Sequence, residues 1–378
     1  MKKFLLMMFV LLLGTTMMQA QTTKAERLKY IRKVYAEAKQ KMAENGKDGR
    51  PRLDLTIEVN DGEKLQADDG MPGMDSDEDF YMIEETKTTY YYDKVRRFRD
   101  GSFFDDNECY LVIENWSAQG HTRYKEVLFD PETGSLLFYY SHYETDAGMP
   151  FDSRFYYDEQ GNVIEQLHKV MNQDAADEYL EDMKSDQNGK PLAEHYHRVF
   201  NGIVAPQGQA PRDGKGSTTP KANRMNFIRT AYAQARQKVE EDAKTPMPRN
   251  VKVTWHNQED GDTPPVTTEI KYYLEHQPQG ETFANHCYFI TKRTRSMSID
   301  FYNEYLLSPK SHDLIFSYGQ YKEEGSKNEF RYYFDENGQC IERKATIQPE
   351  EGYDDSLDEK KTAFQYIAVL KEIINSAM

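Results

Sequence analysis

The sequence lacks three features that would narrow its function at once: abundant cysteine, a surplus of positive charge, and a long apolar run beyond its N-terminal region. Three cysteines cannot all pair with one another, so the chain is not a disulfide-rich scaffold. Its formal net charge of −16 would repel nucleic acid and anionic lipid surfaces. No later stretch is long enough to span a bilayer, so we expect no integral membrane segment.

Recognisable catalytic and cofactor motifs are also missing. The sequence contains no Gly-x-Ser-x-Gly, His-Glu-x-x-His, Walker or dinucleotide-binding glycine pattern. Acidic residues are so numerous that no carboxylate pair stands out as the acid and base of a glycosidase. We therefore expect no cofactor, and a non-enzymatic function is favoured over an enzyme.

The first twenty residues have the pattern of a cleavable signal peptide. Lys2 and Lys3 precede the short apolar stretch Phe4–Leu13, and Ala20 provides a cleavage point before Gln21. No cysteine lies near this point, so a lipid anchor is not expected. The sequence therefore predicts a periplasmic or secreted protein. This signal and the acidic, aromatic-rich composition resemble uncharacterised secreted proteins of Bacteroidetes type, a resemblance that brings no catalytic residues with it.

An internal repeat organises the rest of the chain. Lys24–Lys41 and Lys221–Lys238 are identical at 10 of 18 positions, and both have the apolar spacing of an amphipathic helix. A second match joins Arg154–Glu165 to Arg331–Glu342, with 7 of 12 positions identical. Each of these contains an Asp-Glu-Gln/Asn-Gly sequence between strand-like runs, which predicts a tight hairpin.

We expect an α+β fold made of two tandem repeat domains. Each would have an N-terminal amphipathic helix, an antiparallel meander of six or seven strands and a closing C-terminal helix. The predicted domains are residues 21–203 and 221–378, joined by a flexible Pro/Gly-rich linker at 204–220. The first domain carries an acidic loop insertion at 61–79 between strands at Leu53–Val59 and Thr88–Phe98.

The cysteines permit three interpretations. Cys109 and Cys287 occupy matching places in the two copies, and Cys340 replaces Val163. A cysteine that exchanges with valine behaves as a small buried apolar group, so three buried free thiols are the favoured interpretation. A bridge between Cys109 and Cys287 or a catalytic cysteine is the alternative.

Two groups of residues could bind a metal ion. Asp75, Asp77 and Asp79 have the spacing that opens a calcium loop, but Phe80 stands where such a loop needs glycine. A solvated acidic loop is the favoured interpretation. His195 and His197 would share a face on a strand, whereas the surrounding sequence predicts a helix, on which residues two apart diverge.

The aromatic runs are the remaining candidate for a binding surface. Aromatic side chains alternate onto both faces of their strands, so one face could pack under a helix while the other meets solvent or a ligand. The candidate interaction residues are Tyr91, Tyr139, Tyr156, Tyr272 and Tyr333. A tyrosine-rich solvent face, a protein or peptide interface, and a sugar-stacking surface are the three options.

The sequence thus favours an exported binding protein with duplicated aromatic-rich modules and a protein, peptide or glycan partner. A periplasmic or secreted hydrolase acting on glycan or peptide is the first alternative, and a structural envelope-associated protein is the second. The ligand and the oligomeric state do not follow from the sequence.

Overall fold

The computed structural model describes residues 23–65, 80–99, 102–118, 120–144, 148–171, 173–174, 189–204, 219–244, 249–258, 262–279, 282–297, 299–309, 311, 313–323, 326–346 and 355–376. The predicted signal peptide, most of the acidic loop and most of the linker lie outside these residues. So do the calcium candidates Asp75, Asp77 and Asp79.

Helices begin and end both halves of the described chain, as predicted. They are α1 (Lys24–Glu44), α2 (Gly189–Val204), α3 (Lys221–Asp242) and α4 (Asp355–Ser376). α1 starts at a capping box, in which the side chains of Thr23 and Glu26 each accept a hydrogen bond from the other's backbone N–H. None of the helices in the described ranges has the length and apolar character needed to cross a membrane.

Fifteen strands lie between these helices in the part of the chain that the structure describes. They are β1 (Leu53–Leu65), β2 (Phe80–Arg99), β3 (Ser102–Ala118), β4 (His121–Phe129), β5 (Leu136–Glu144), β6 (Pro150–Tyr157), β7 (Val163–Val170), β8 (Gln173–Asp174), β9 (Asn250–Asn257), β10 (Val266–Gln279), β11 (Thr282–Arg295), β12 (Ile299–Leu307), β13 (Leu314–Glu323), β14 (Ser326–Phe334) and β15 (Cys340–Ala345). Every strand pairing among the described residues is antiparallel, so the α+β class and the meander are confirmed.

The strands before and after the acidic loop are longer than predicted. β1 continues past Val59 to Leu65, and β2 already begins at Phe80, so that Leu65 pairs with Phe80. The prediction that the loop begins at Asp61 was therefore wrong. Asp61–Leu65 lacks an alternating apolar pattern and forms a hairpin arm that pairs with β2 beyond the end of the neighbouring strand β9.

All fifteen strands belong to one continuous sheet, and two separate sheets are not seen. The order is β15-β14-β13-β12-β11-β10-β9-β1-β2-β3-β4-β5-β6-β7-β8, so the halves meet where β1 pairs antiparallel with β9. Ile57 faces Val253 at the centre of this pair, and the strand order runs outward from it in both directions. The division of the chain into two tandem domains stays a prediction.

The two halves share their irregularities as well as their strand order. β-Bulges lie at Tyr91/Tyr92, Leu128/Phe129 and Tyr156/Tyr157 in the first half, and at Tyr273/Leu274, Leu306/Leu307 and Tyr333/Phe334 in the second. Each bulge falls on the same strand pair in both halves. Because a bulge increases local twist, the two halves of the sheet are bent at matching positions.

Helices cover both faces of the sheet. α2 and α4 pack against each other on one face, where a single core contains residues of both halves, among them Tyr90, Tyr272 and Leu370. α1 and α3 lie on the opposite face, each over a separate core in its own half. The sheet therefore has one shared core on the α2/α4 face and two independent cores on the α1/α3 face.

The predicted hairpins form at equivalent places. Asp158 accepts hydrogen bonds from the backbone N–H groups of Gln160 and Asn162, and Asp335 accepts the equivalent pair in the second half. Gly161 has a φ of 80°, which a glycine adopts without steric cost.

Candidate functional site

A cavity of about 350 Å³ lies between α1 and the strands β5 and β6. We call it the first pocket. It is lined by Ile31, Arg32 and Tyr35 of α1, Phe138 and Tyr140 of β5, and Arg154 and Tyr156 of β6. Period-two alternation places the strand residues on the sheet face that α1 covers, and the three helix residues fall within one turn of each other.

A larger cavity of about 730 Å³, the second pocket, lies between α3 and the strands β11 to β14. It contains a counterpart of the same residue type for each of the seven residues of the first pocket. The pairs are Ile31 and Ile228, Arg32 and Arg229, Tyr35 and Tyr232, Phe138 and Phe316, Tyr140 and Tyr318, Arg154 and Arg331, and Tyr156 and Tyr333.

The ring geometry is duplicated with the residues. The Tyr35 and Phe138 ring centroids lie 5.2 Å apart, tilted by 59°, and the Tyr232 and Phe316 centroids lie 4.7 Å apart with the same tilt. The pair of Phe138 with Tyr156 has a centroid distance of 5.1 Å, against 5.0 Å for its counterpart. The two aromatic walls are therefore built alike.

A buried glutamate is hydrogen-bonded to a tyrosine of each pocket and is also ion-paired. Glu126 is 3% exposed and accepts hydrogen bonds from the hydroxyls of Tyr35, at 2.5 Å, and Tyr124. Lys39 Nζ lies 2.9 Å from the same carboxylate. These contacts compensate the buried charge and hold α1 on the sheet.

Glu304 has the equivalent environment in the second pocket. It is 1% exposed, and its carboxylate accepts from the hydroxyls of Tyr232 and Tyr302 and pairs with Arg236. Burial alone would lower the pKa of Arg236, but Glu304 outweighs it and the pKa is raised. Arg236 thus stays a cation, in the place that Lys39 occupies in the first half.

The tyrosine hydroxyls around these glutamates are fixed as donors. Burial, followed by the adjacent Glu126, raises the pKa of Tyr35 and Tyr124 above that of an exposed tyrosine. Burial and Glu304 do the same for Tyr232. Because the hydroxyls stay protonated and point at a glutamate, the rings offer the pocket mainly their aromatic surfaces.

Each pocket contains two arginines, and one of the two is paired with an acid. Arg32 lies 3.9 Å from Glu165, and Arg331 donates a hydrogen bond of 3.2 Å to Glu329. Arg154 lies over the Tyr140 ring at 5.3 Å, and Arg331 lies over the Tyr318 ring at 5.4 Å. Arg32 and Arg229 are exposed at equivalent positions of α1 and α3. A stacked guanidinium keeps its N–H donors in its own plane, so it can still bind an anion through two hydrogen bonds.

The second pocket is larger where the halves differ. Arg293 and Asp300 join its lining and pair through hydrogen bonds of 2.9 and 2.6 Å. Asn115 and Thr122 occupy the equivalent positions in the first half. Because Arg293 is paired with an acid, it extends the wall without adding net charge.

A third cavity, of about 310 Å³, lies on the opposite face beside α2. Its lining includes His195 and Trp116, and Glu114 accepts hydrogen bonds from Tyr196, at 2.7 Å, and Lys125, at 2.8 Å. In the second half the positions of Glu114, Trp116 and Lys125 carry Lys292, Thr294 and Asn303. The third cavity is therefore not duplicated.

The candidate interaction aromatics are mostly core residues. Tyr139 and Tyr272 belong to the shared core, and Tyr156 and Tyr333 are 8% and 7% exposed beneath α1 and α3. Tyr91 is half-buried. The prediction of a surplus aromatic face was wrong, because helices cover both faces of the sheet. Only Tyr156 and Tyr333 reach a pocket.

The cysteines are all free in the structure. Cys109 and Cys287 are buried as expected, and neither forms the alternative bridge. The prediction for Cys340 was wrong, because it is exposed at the start of β15, the strand at one end of the sheet. Val163, at the equivalent place, is also 39% exposed, so the exchange reflects an open position.

The histidines lie on a helix, as predicted. His195 and His197 belong to α2, and the ring of His197 packs on Phe129 at a centroid distance of 4.0 Å while its Nε2 lies 3.0 Å from the Gly134 carbonyl. Among the described residues, no cluster of three or more His, Cys, Asp or Glu side chains could hold a metal ion.

Comparisons with protein-family models, curated proteins and solved structures found no match for this chain.

Proposed function

We propose that this chain is an exported, non-enzymatic binding protein, in which each half of the sheet carries one pocket for the same kind of anionic ligand. The two halves would be tandem copies of one module. The observation that carries the proposal is the residue-for-residue identity of the two pockets.

That identity is greater than the general similarity of the halves. Across the five strand pairs from Cys109–Ala118 to Val163–Val170 and their counterparts, 13 of 44 equivalent positions are identical. All seven residues of the first pocket recur in the second. A packing requirement accounts for the buried members such as Ile31. Arg32 and Arg229 are exposed, but so are Lys24, Gln40 and Lys41, which also recur in α3. The strand residues of the pocket, in contrast, recur although the strands around them mostly differ.

The charges support an anionic ligand. The chain as a whole is strongly acidic, yet each pocket holds two arginines, only one of which is paired with an acid, and its buried glutamate is already neutralised by Lys39 or Arg236. Arg154 and Arg229 have no ion-pair partner among the residues that the structure describes. Local positive charge within an acidic protein favours a specific anion over broad attraction to polyanions.

The position of the pockets bears on how a ligand could reach both. They lie on the same face of the sheet, with nine strand intervals between β5 and β13. At about 4.8 Å per interval, the contour distance is roughly 43 Å. A small ligand would fill each pocket independently, whereas a repetitive polymer could gain affinity by occupying both.

The test is an array of acidic and neutral glycans and peptides, probed with the full chain and with pocket variants. Tyr140→Ala and Tyr318→Ala each remove the ring under a stacked arginine. We expect the double variant to lose binding and each single variant to retain it more weakly.

Tyr143→Ala and Tyr321→Ala provide the matched control, because these tyrosines lie on the same strands but on the opposite face. They should bind as the unmodified chain does, and thermal unfolding would check that all variants fold. Binding that survives in the folded Tyr140/Tyr318 double variant would refute the proposal.

A further inference from the structure

We infer that each pocket recognises an acidic sugar: a sugar ring held against the aromatic wall, with its carboxylate bound by the arginines that line the pocket. This inference rests on the proposed function and adds the chemical class of the ligand.

The two arginines of each pocket indicate that the charged group of the ligand is a carboxylate. A guanidinium presents a planar fork of donors that matches a carboxylate in two parallel hydrogen bonds. Each pocket supplies one arginine from a helix, Arg32 or Arg229, and one from a strand, Arg154 or Arg331. The strand arginines are held over tyrosine rings, which reduces the side-chain entropy that binding would remove.

The aromatic wall indicates that the uncharged part of the ligand is a ring with an apolar face. Tyr35, Phe138, Tyr140 and Tyr156 surround the first pocket, and their hydroxyl groups are largely turned to acids: Tyr35 to Glu126 and Tyr140 to Asp152. What remains is flat apolar surface beside positive charge. A ring with an apolar face and one carboxylate complements both, and a volume of about 350 Å³ is within the usual range for small-ligand sites.

A peptide fits the surroundings less well. Peptides are commonly bound by adding a strand to an open sheet edge or by laying a helix in an apolar groove. The strands β5 and β6 lie inside the sheet with neighbours on both sides, so their backbone groups are already paired. The first pocket therefore offers side-chain contacts only, which suits a ligand without a peptide backbone.

Isothermal titration with four probes tests the inference: tetragalacturonate, the neutral maltotetraose, inorganic sulfate, and hippurate as an aromatic carboxylate with a peptide-like amide. We expect saturable binding of tetragalacturonate only. It should weaken as sodium chloride rises from about 50 mM to about 500 mM, because salt screens the arginine–carboxylate attraction.

The pocket variant is R154Q combined with R331Q, which should weaken tetragalacturonate binding at least about tenfold, since each substitution removes a charge-assisted contact. R123Q combined with R343Q removes the same charge from the opposite face, where these arginines stack on Trp116 and Tyr332, and should leave the affinity within about twofold.

Four results would overturn the acidic-sugar inference: sulfate or maltotetraose binding as tightly as tetragalacturonate, hippurate binding alone, no binding of any probe, or unchanged affinity in the pocket variant. None of these decides the proposed function, which fails separately if the Tyr140/Tyr318 double variant keeps its array targets.

Discussion

Replacing Glu304, the buried glutamate of the second pocket, measures how much this side chain contributes to the free energy of unfolding. Glu304→Gln keeps the shape of the side chain and removes its charge. Glu304 is 1% exposed and engages Tyr232, Tyr302 and Arg236. The substitution therefore converts charge-assisted contacts to neutral ones with little change of volume.

The magnitude follows from these three contacts. Each tyrosine hydrogen bond falls from about 1.5–3 kcal/mol to about 0.5–1.5 kcal/mol, a loss of roughly 2–3 kcal/mol for the pair. The Arg236 side chain is 43% exposed, so water stabilises its unpaired charge and its contribution stays at roughly 0–1 kcal/mol. Burying an amide costs less than burying a carboxylate, which offsets part of the loss. We expect a net destabilisation of about 2 kcal/mol.

Urea unfolding followed by circular dichroism and tyrosine fluorescence provides the measurement. Glu126→Gln should show a similar loss, because Tyr35, Tyr124 and a half-buried Lys39 surround it in the same way. Glu329→Gln is the control, since its partners are exposed, and it should stay within about 0.5 kcal/mol. If Glu304→Gln is no more destabilising than Glu329→Gln, the view of Glu304 as the anchor of α3 is refuted.

Three further outcomes follow from the packing. Burial raises the pKa of Tyr90 and Tyr272 far above that of an exposed tyrosine, so the folded state keeps protons that the unfolded chain loses above about pH 10. Stability is therefore full below about pH 10 and falls as pH rises, by about 1.4 kcal/mol per pH unit for each such tyrosine; urea midpoints measured from about pH 8 to 11 check this. A methyl group on Gly319 would lie 1.9 Å from the Phe330 ring, so Gly319→Ala should destabilise by roughly 1–3 kcal/mol in urea unfolding, and the double variant with Phe330→Ser should be less destabilised than the sum of the two single variants, because the clash is then absent. A thiol reagent should titrate only Cys340 in the native protein and all three cysteines after denaturation; a second native thiol would contradict the burial of the other two.

Local elements were predictable because local sequence determines them. The apolar spacing of Lys24–Lys41 identified α1, and the Asp-Glu-Gln-Gly sequence identified a hairpin at Gly161. The pocket also left a signal in the repeat: Phe-x-Tyr at Phe138 and Phe316, and Arg-x-Tyr at Arg154 and Arg331, place the same residue types on one face of equivalent strands. The match of Arg154–Glu165 with Arg331–Glu342 contains part of this pattern, but by itself it does not indicate a pocket.

The joining of the halves was not predictable. Pairing of β1 with β9 links strands almost two hundred residues apart, and nothing in Leu53–Val59 distinguishes a strand that ends a sheet from one that continues it. For this reason the predicted exposure of the aromatic side chains was wrong. Because α2 and α4 pack together over the joined sheet, residues such as Tyr139 and Tyr272, which looked available, became the shared core.

The two faces of the sheet differ in how closely equivalent residues of the two halves match. On the shared-core face, Tyr139 corresponds to Ser317 and Ser153 to Phe330, so volume lost at one position is regained near another. A core tolerates such exchanges when its total volume is kept. On the α1/α3 face, in contrast, the pocket residues recur without exchange, including the exposed Arg32. Exposed residues of α1 outside the pocket, such as Lys24 and Lys41, also recur in α3, so the helix residues alone do not separate a ligand from general similarity. The recurrence of the pocket's strand residues, among strands that mostly differ, is what a ligand common to both halves would explain.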